Sequence, residues 1–124
     1  MQSSGRHIRG LPYARINESL SLGLTHGITH LSEMAIEHIH ARHPNEYALC
    51  LRALQAVITA PDYIGQSPNH RDSFVVVKDV DGSMVLAAIS AIVDEHGDYS
   101  IYSSYVIPRG TVHRRLRKGY FVRL

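Results

Sequence analysis

The apolar positions of the chain change period once, at about residue 73. Before that point they recur at helical spacing; after it they alternate or run together as strand residues do. In LSEMAIEHIHARH, Ala35, Ile36 and Ile39 form one stripe, Ser32 stands where a cap belongs, and Glu33 suits the positive end of a helix dipole. Leu31 and Ile36 have the spacing of a hydrophobic staple, and Pro44 restricts His43 and predicts the helix stop. Asn45 is then expected to cap a second helix, EYALCLRALQAVITA, ending before Pro61. Its Leu51, Leu54 and Ile58 recur at helical period, and Ala48, Leu49 and Val57 widen that face. DYIGQSPNHRD reads as a loop by its Gly, Pro, Asn and Asp content. SFVVVKDV and SMVLAAISAIVD, joined by Asp81-Gly82, predict a hairpin, and the turn EHGD leads to a third strand, YSIYSSYVI. TVHRRLRKG is expected to form a short helix or turn closed by Gly119, with YFVRL available as a last strand. Helices followed by hairpins give an α+β fold: two N-terminal helices packed on one face of an antiparallel sheet of three to five strands, the basic C-terminal segment beside the sheet's open side.

Residues 1–27, with Gly5, Gly10, Pro12, Gly23 and Gly27, show no sustained period. They are expected to form a leader or loosely packed N-terminal segment ahead of one domain at 28–124. A chain of 124 residues supports one core, and 44% hydrophobic with 19% charged residues is a globular balance. No run of apolar residues is long enough for a membrane span, and MQSSGRHIRG is not expected to act as a secretory signal. The single Cys50 has no internal disulfide partner and sits in YALCLRAL, where a buried thiol is expected. The formal charge is +2, yet from Arg109 onward the chain carries Arg109, Arg114, Arg115, Arg117, Lys118 and Arg123 and no acid. Such a terminus suits an anionic partner (RNA, DNA or phospholipid), although a solvated tail would have the same composition.

The chemistry-bearing candidates fall on this framework. His43 lies four residues beyond Ile39 and seven beyond Ile36, on the flank of the buried stripe at the helix end, with His40 on the neighbouring flank. Imidazole is both a competent acid and a competent base near neutral pH, but with nine histidines in the chain most are structural or exposed. His26 and His30 are four apart and His40 has His38 and His43 nearby, yet no HExxH and no cysteine pair accompanies them, so no metal site is expected. Lys78 ends FVVV and, by alternation, shares a face with Phe74 and Val76. In the third strand Tyr99, Ile101, Ser103, Tyr105 and Ile107 would share one face and Tyr102 and Ser104 the other. One serine therefore points toward any substrate, and parity does not decide which. A histidine, a lysine, a hydroxyl and an arginine converging over a sheet are sufficient to cleave RNA without a metal.

IHARHP, APDYIGQSPN after the second helix, FVVVKDV, IYSSYVI and the terminal RRLRKG together resemble the phage-associated relatives of the barnase, EndoU, colicin E5/D and RelE nuclease superfamily. The likeness covers about residues 28–120. It implies a small α+β, metal-independent ribonuclease without cofactors, of a kind often deployed as a toxin in contact-dependent or phage systems and held by a cognate inhibitor or immunity protein. It places the family's helix histidine at His43, its strand cation at Lys78, its late-strand hydroxyl at Ser103 with Ser104 as rival, and its following cation at Arg109. Neutral Gly110-Thr111 departs from the family pattern, so His113 and Arg114 compete with Arg109. His40, Arg42, His113, Arg114, Arg115 and Arg117 would contact substrate phosphates. An RNA substrate, with tRNA favoured, and an acidic inhibitor are the implied partners. The implied site of action is the cytoplasm, with delivery as the C-terminal domain of a larger secreted toxin or phage protein. A nucleic-acid-binding module without catalysis and an inactive phage structural domain are the competing readings.

Overall fold

The computed structural model describes residues 5–67 and 69–124; residues 1–4 of the expected leader and Pro68 of the expected loop lie outside them. Among the described residues the elements are β1 (Arg6–Ile8), α1 (Tyr13–Leu20), β2 (Thr29–Leu31), α2 (Glu33–Arg42), α3 (Tyr47–Thr59), β3 (Tyr63–Gly65), β4 (Ser73–Val80), β5 (Ser83–Val93), β6 (Tyr99–Ile107), α4 (Arg109–Arg117) and β7 (Phe121–Arg123). The strands form one seven-stranded sheet in the order β1-β2-β6-β5-β4-β3-β7. Every pairing is antiparallel except β2 with β6. The α+β class and the helix-to-strand switch stand, while the sheet has more strands than the three to five expected.

The extra strands are β1, β2 and β3, too short to show alternation, whereas β7 falls in YFVRL, the segment read as available for a last strand. Tyr63–Gly65 lies inside the stretch expected to be a loop, yet it pairs with β4 on one side and β7 on the other. Gly65 is required there by close approach: an added Cβ would meet the Phe121 ring and lie 2.6 Å from the Tyr120 carbonyl oxygen. The N-terminal segment also departs from expectation. Residues 6–20 carry β1 and α1, and Ile8, Leu11, Ile16 and Leu24 are buried in the main core. Their spacing is broken by glycines and turns, so a real contribution to the core left no period.

The sheet separates two cores. On one face α1, α2 and α3 cover Phe74, Val76, Val85, Ala87, Ile89 and Ile101 with Ile16, Ile39, Cys50, Leu54, Val57 and Ile58. On the other face α4 covers only part of the sheet, placing Val112 against Val77, Leu86, Ile107 and Phe121. The basic segment therefore lies on the open side, as the patterning suggested. Ser32 caps α2, accepting the Ala35 N–H at 3.1 Å. The cap of α3 is Glu46, not Asn45, and it contributes no side-chain bond to its own helix. Asp81 and Gly82 both have positive φ, 53° and 94°, as a two-residue turn matched to strand twist requires.

Because an added Cβ at Gly65 would run into Phe121 and the Tyr120 carbonyl where β3 pairs with β7, Gly65→Ala should destabilise the protein by about 1–3 kcal/mol through overpacking. A denaturant titration measures it, and a change within error of zero would show that Phe121 is free to move aside.

Candidate active site

Strand β6 organises the open face. Ser103 pairs with Ala88, but Ile101 pairs with Ile89, so Tyr102 is one extra residue opposite an unbroken partner: a β-bulge. It changes which side chains share a face. Tyr99 and Ile101 enter the helix-side core, whereas Ser103, Tyr105 and Ile107 point to the open side. The single-face assignment of these five residues from strict alternation is thereby corrected. The bulge also separates the two serines. Ser103 faces the open side, and Ser104 is fully buried on the helix side, its hydroxyl donating to the Leu86 carbonyl at 2.7 Å.

Above Ser103 lies a cleft of about 600 Å³. Its floor is Val75, Ala88 and Ser103, and its walls carry Gln66, His70, Tyr102, Tyr105, Arg115 and Tyr120. Among the described residues that line it, none is an aspartate or glutamate. Arg115 projects from the last turn of α4 and lies over the Phe121 ring, 5.4 Å from its centre. Gln66 shapes the β3–β4 loop by donating to the Arg71 and Ser73 carbonyls at 2.9 and 3.2 Å, and that loop presents His70.

His43 reaches this face from the helix side. It closes α2, with its N–H donating to the Ile39 carbonyl at 2.8 Å and φ −134°, ψ 59°, outside the helical region as a residue before proline should be. Its ring stacks on Tyr105, with centroids 4.9 Å apart and planes 24° from parallel. The placement follows from strand lengths. β2 pairs with β6 only at Tyr99 and Ser100, which leaves the later part of that edge open. There the Val106 N–H donates to Glu46 Oε1 at 2.9 Å and ties the α2–α3 corner to the sheet. His43 is thus held at the β6 edge against Tyr105, a wall residue of the cleft that His43 itself does not line.

The remaining candidates are placed as follows. Lys78 does share a face with Phe74 and Val76, but that is the helix face, where its ammonium donates to the Ala60 carbonyl at 2.8 Å at the end of α3. Arg109 pairs with Asp79 at 3.0 Å beside the β4–β5 turn. The Arg109 hydrogen bond, then the Gly82 N–H, hold the Asp79 carboxyl below its ordinary range. Neither cation lines the cleft with Ser103. His40 packs tilted against Tyr47 at 4.6 Å, and Arg42, His113, Arg114 and Arg117 are exposed. Ser103, Arg115 and, through Tyr105, His43 are the candidates brought together. Burial pushes the Cys50 thiol up, as expected of an inert core cysteine.

Two of the histidines weighed as metal ligands, His26 and His30, have protein partners. His26 Nδ1 accepts the Ile28 N–H at 3.0 Å, so its Nε2 carries the proton given to the Gly97 carbonyl at 2.7 Å. His30 stacks on His7 at 4.4 Å, with Asp94 and Asp98 beside the two rings.

His70, Gln66, Tyr102 and Tyr120 were not anticipated. A polar loop gives no sign of where its side chains will land. The bulge did leave a trace: Tyr102 and Tyr105, which both line the cleft, are three apart, a spacing no unbroken strand can place on one face.

Comparison with curated proteins gives no match, and comparison with solved structures gives none. Among the described residues no helix is long and apolar enough to cross a membrane. A family model matches residues 6–114, taking in β1, α1 and every strand that frames the cleft except β7. On that match the chain belongs to the phage-Barnase-EndoU-ColicinE5/D-RelE like nuclease3 family.

Proposed function

We propose that the protein is a metal-independent endoribonuclease of the toxin type, and that the cleft on the open face of the sheet is its catalytic site. The observation that carries this reading is the stacking of His43 on Tyr105, a wall of the cleft that also holds Ser103 and Arg115 and, among the described residues, no acid. An imidazole beside a concave, cationic, hydroxyl-bearing surface suits a phosphodiester whose own 2′-OH is the nucleophile.

In this mechanism His43 takes the proton of the 2′-OH, the 2′-oxygen attacks phosphorus, and the bond from phosphorus to the 5′-oxygen breaks. His70, which lines the same cleft from the β3–β4 loop, is the group placed there to return a proton to the leaving oxygen. Arg115 and the Ser103 hydroxyl meet the charge that develops on the non-bridging oxygens. The products are a 2′,3′-cyclic phosphate and a 5′-OH. Arg114, Arg117 and Lys118 continue the positive surface beyond the cleft and would hold flanking phosphates. Transfer RNA is the favoured substrate by family analogy. The same analogy motivates cytoplasmic action, delivery within a larger toxin or phage protein, and an acidic inhibitor that covers α4.

Incubation with total RNA in excess EDTA, with mapping of the product ends, tests the chemistry. Wild type should leave cyclic phosphate ends, and His43→Ala should lower the rate on the order of 10²–10⁴-fold. Cleavage that requires a divalent ion, leaves 3′-OH ends or survives the substitution would reject the mechanism. RNA bound but left intact would favour a binding module.

A second comparison separates the cations. Arg115→Ala should slow cleavage roughly 10²–10³-fold, while Lys78→Ala and Arg109→Ala should cost far less activity at matched folded fraction. The reverse order would return the site to the residues that the family resemblance alone suggests.

A rate profile against pH completes the set. Wild type should show a bell set by one base and one acid; His43→Ala and His70→Ala should each remove a different limb. An unchanged bell in His70→Ala would assign the returning proton to another donor.

A further inference from the structure

We infer that the cleft takes an unpaired RNA strand, with bases stacked on Tyr102 and Tyr120 and a phosphate on Arg115, and that it does not admit a duplex. This deepens the nuclease reading and rests on it for the location of the site.

Tyr102 in β6 and Tyr120 in the turn between α4 and β7 are 46% and 43% exposed, although each is a large aromatic, and both line the cleft. Neither exposure is incidental to a loose backbone. Tyr102 is the extra residue of the β6 bulge, which turns its ring away from the core that takes Ile101. Tyr120 follows Gly119, whose φ of 78° turns the chain from α4 into β7. Its N–H donates to the Arg115 carbonyl at 2.9 Å and its carbonyl accepts from the Gln66 N–H at 3.3 Å. The backbone is fixed on both sides while the ring stays in solvent. Two rings held out over one concave surface are a platform for planar ligands, because every base offers a π face whatever its sequence.

Charge specifies what kind of planar ligand. Among the described residues that line the cleft none is acidic, and Arg115 is held in it over Phe121 at 5.4 Å. The segment from Arg109 onward adds further cations and no acid beside it. Size then separates strand from duplex. A volume of about 600 Å³ is that of a small-molecule pocket. Bases paired inside a helix cannot lie on rings that rise from the walls of such a cleft, and splayed bases can.

Fluorescence anisotropy with a labelled 2′-O-methyl RNA, which lacks the attacking hydroxyl, tests the inference on the full chain. The same sequence is presented unpaired and within a duplex at one fixed salt concentration. The unpaired probe should bind at least about tenfold tighter, and Tyr102→Ala and Tyr120→Ala should each weaken it roughly 5- to 150-fold. Tyr102→Phe and Tyr120→Phe should bind as wild type, since they retain the ring and lose only the hydroxyl. Circular dichroism confirms that each variant is folded. Equal affinity for both probes, no binding of either, or folded alanine variants that bind as wild type would each overturn the inference. Binding without cleavage of the unmodified strand would overturn the ribonuclease reading and leave this inference standing. Equal cleavage of paired and unpaired RNA would do the opposite.

Discussion

Strand β6 has to serve two cores, and the one extra residue at Tyr102 is what allows it to do so. Without that bulge, with Tyr102 taking its turn in a regular ladder, Ile101 and Ser103 would share a face: either Ser103 and Tyr105 would lie beneath the helices, or Tyr99 and Ile101 would lie in solvent. With it, Tyr99 and Ile101 close the helix-side core and Ser103 and Tyr105 floor and wall the open side. The same bulge turns Tyr102 outward and sends Ser104 inward to the Leu86 carbonyl. A local irregularity in one strand thus sets the composition of the cleft.

The helices contribute by position. The short β2 leaves part of the β6 edge unpaired, and a backbone N–H there needs a partner. Glu46 supplies it at Val106, which draws the α2–α3 corner to the sheet and holds His43 against Tyr105. Pro44 then matters for where the helix ends, since another helical turn would carry the imidazole away from that edge. On the opposite side of the cleft, α4 contributes Val112 and Leu116 to packing and Arg115 to the cleft. Its cations also lie at the negative end of its own dipole, so they stabilise the helix as well as charging the surface.

Much of this was legible in the residue pattern. The Ser32 cap, the stop at Pro44, the Asp81-Gly82 hairpin and the burial of Cys50 each follow from local chemistry, and local chemistry is what a sequence displays. The strands β1, β2 and β3 and the N-terminal core contribution were not legible, because their pairing is long-range and their runs are too short to carry a period. The candidate site divides the same way. The resemblance to the nuclease superfamily agrees with the family match. The parity of Lys78 was correct, but only the fold reveals that its face is the covered one, where Ala60 takes the ammonium. Arg109 is occupied by Asp79, a partner thirty residues away that spacing could not disclose.

The central claim is that the open face between β6 and α4 holds the substrate. Backbone amide chemical-shift mapping during titration with a 2′-O-methyl dinucleotide tests it directly. The account predicts the largest shifts at Ser103, Tyr105, Arg115 and Tyr120, with a smaller response at His43. Shifts concentrated at Lys78 and Arg109, or at the His7–His30 edge, with the open face unchanged, would contradict it.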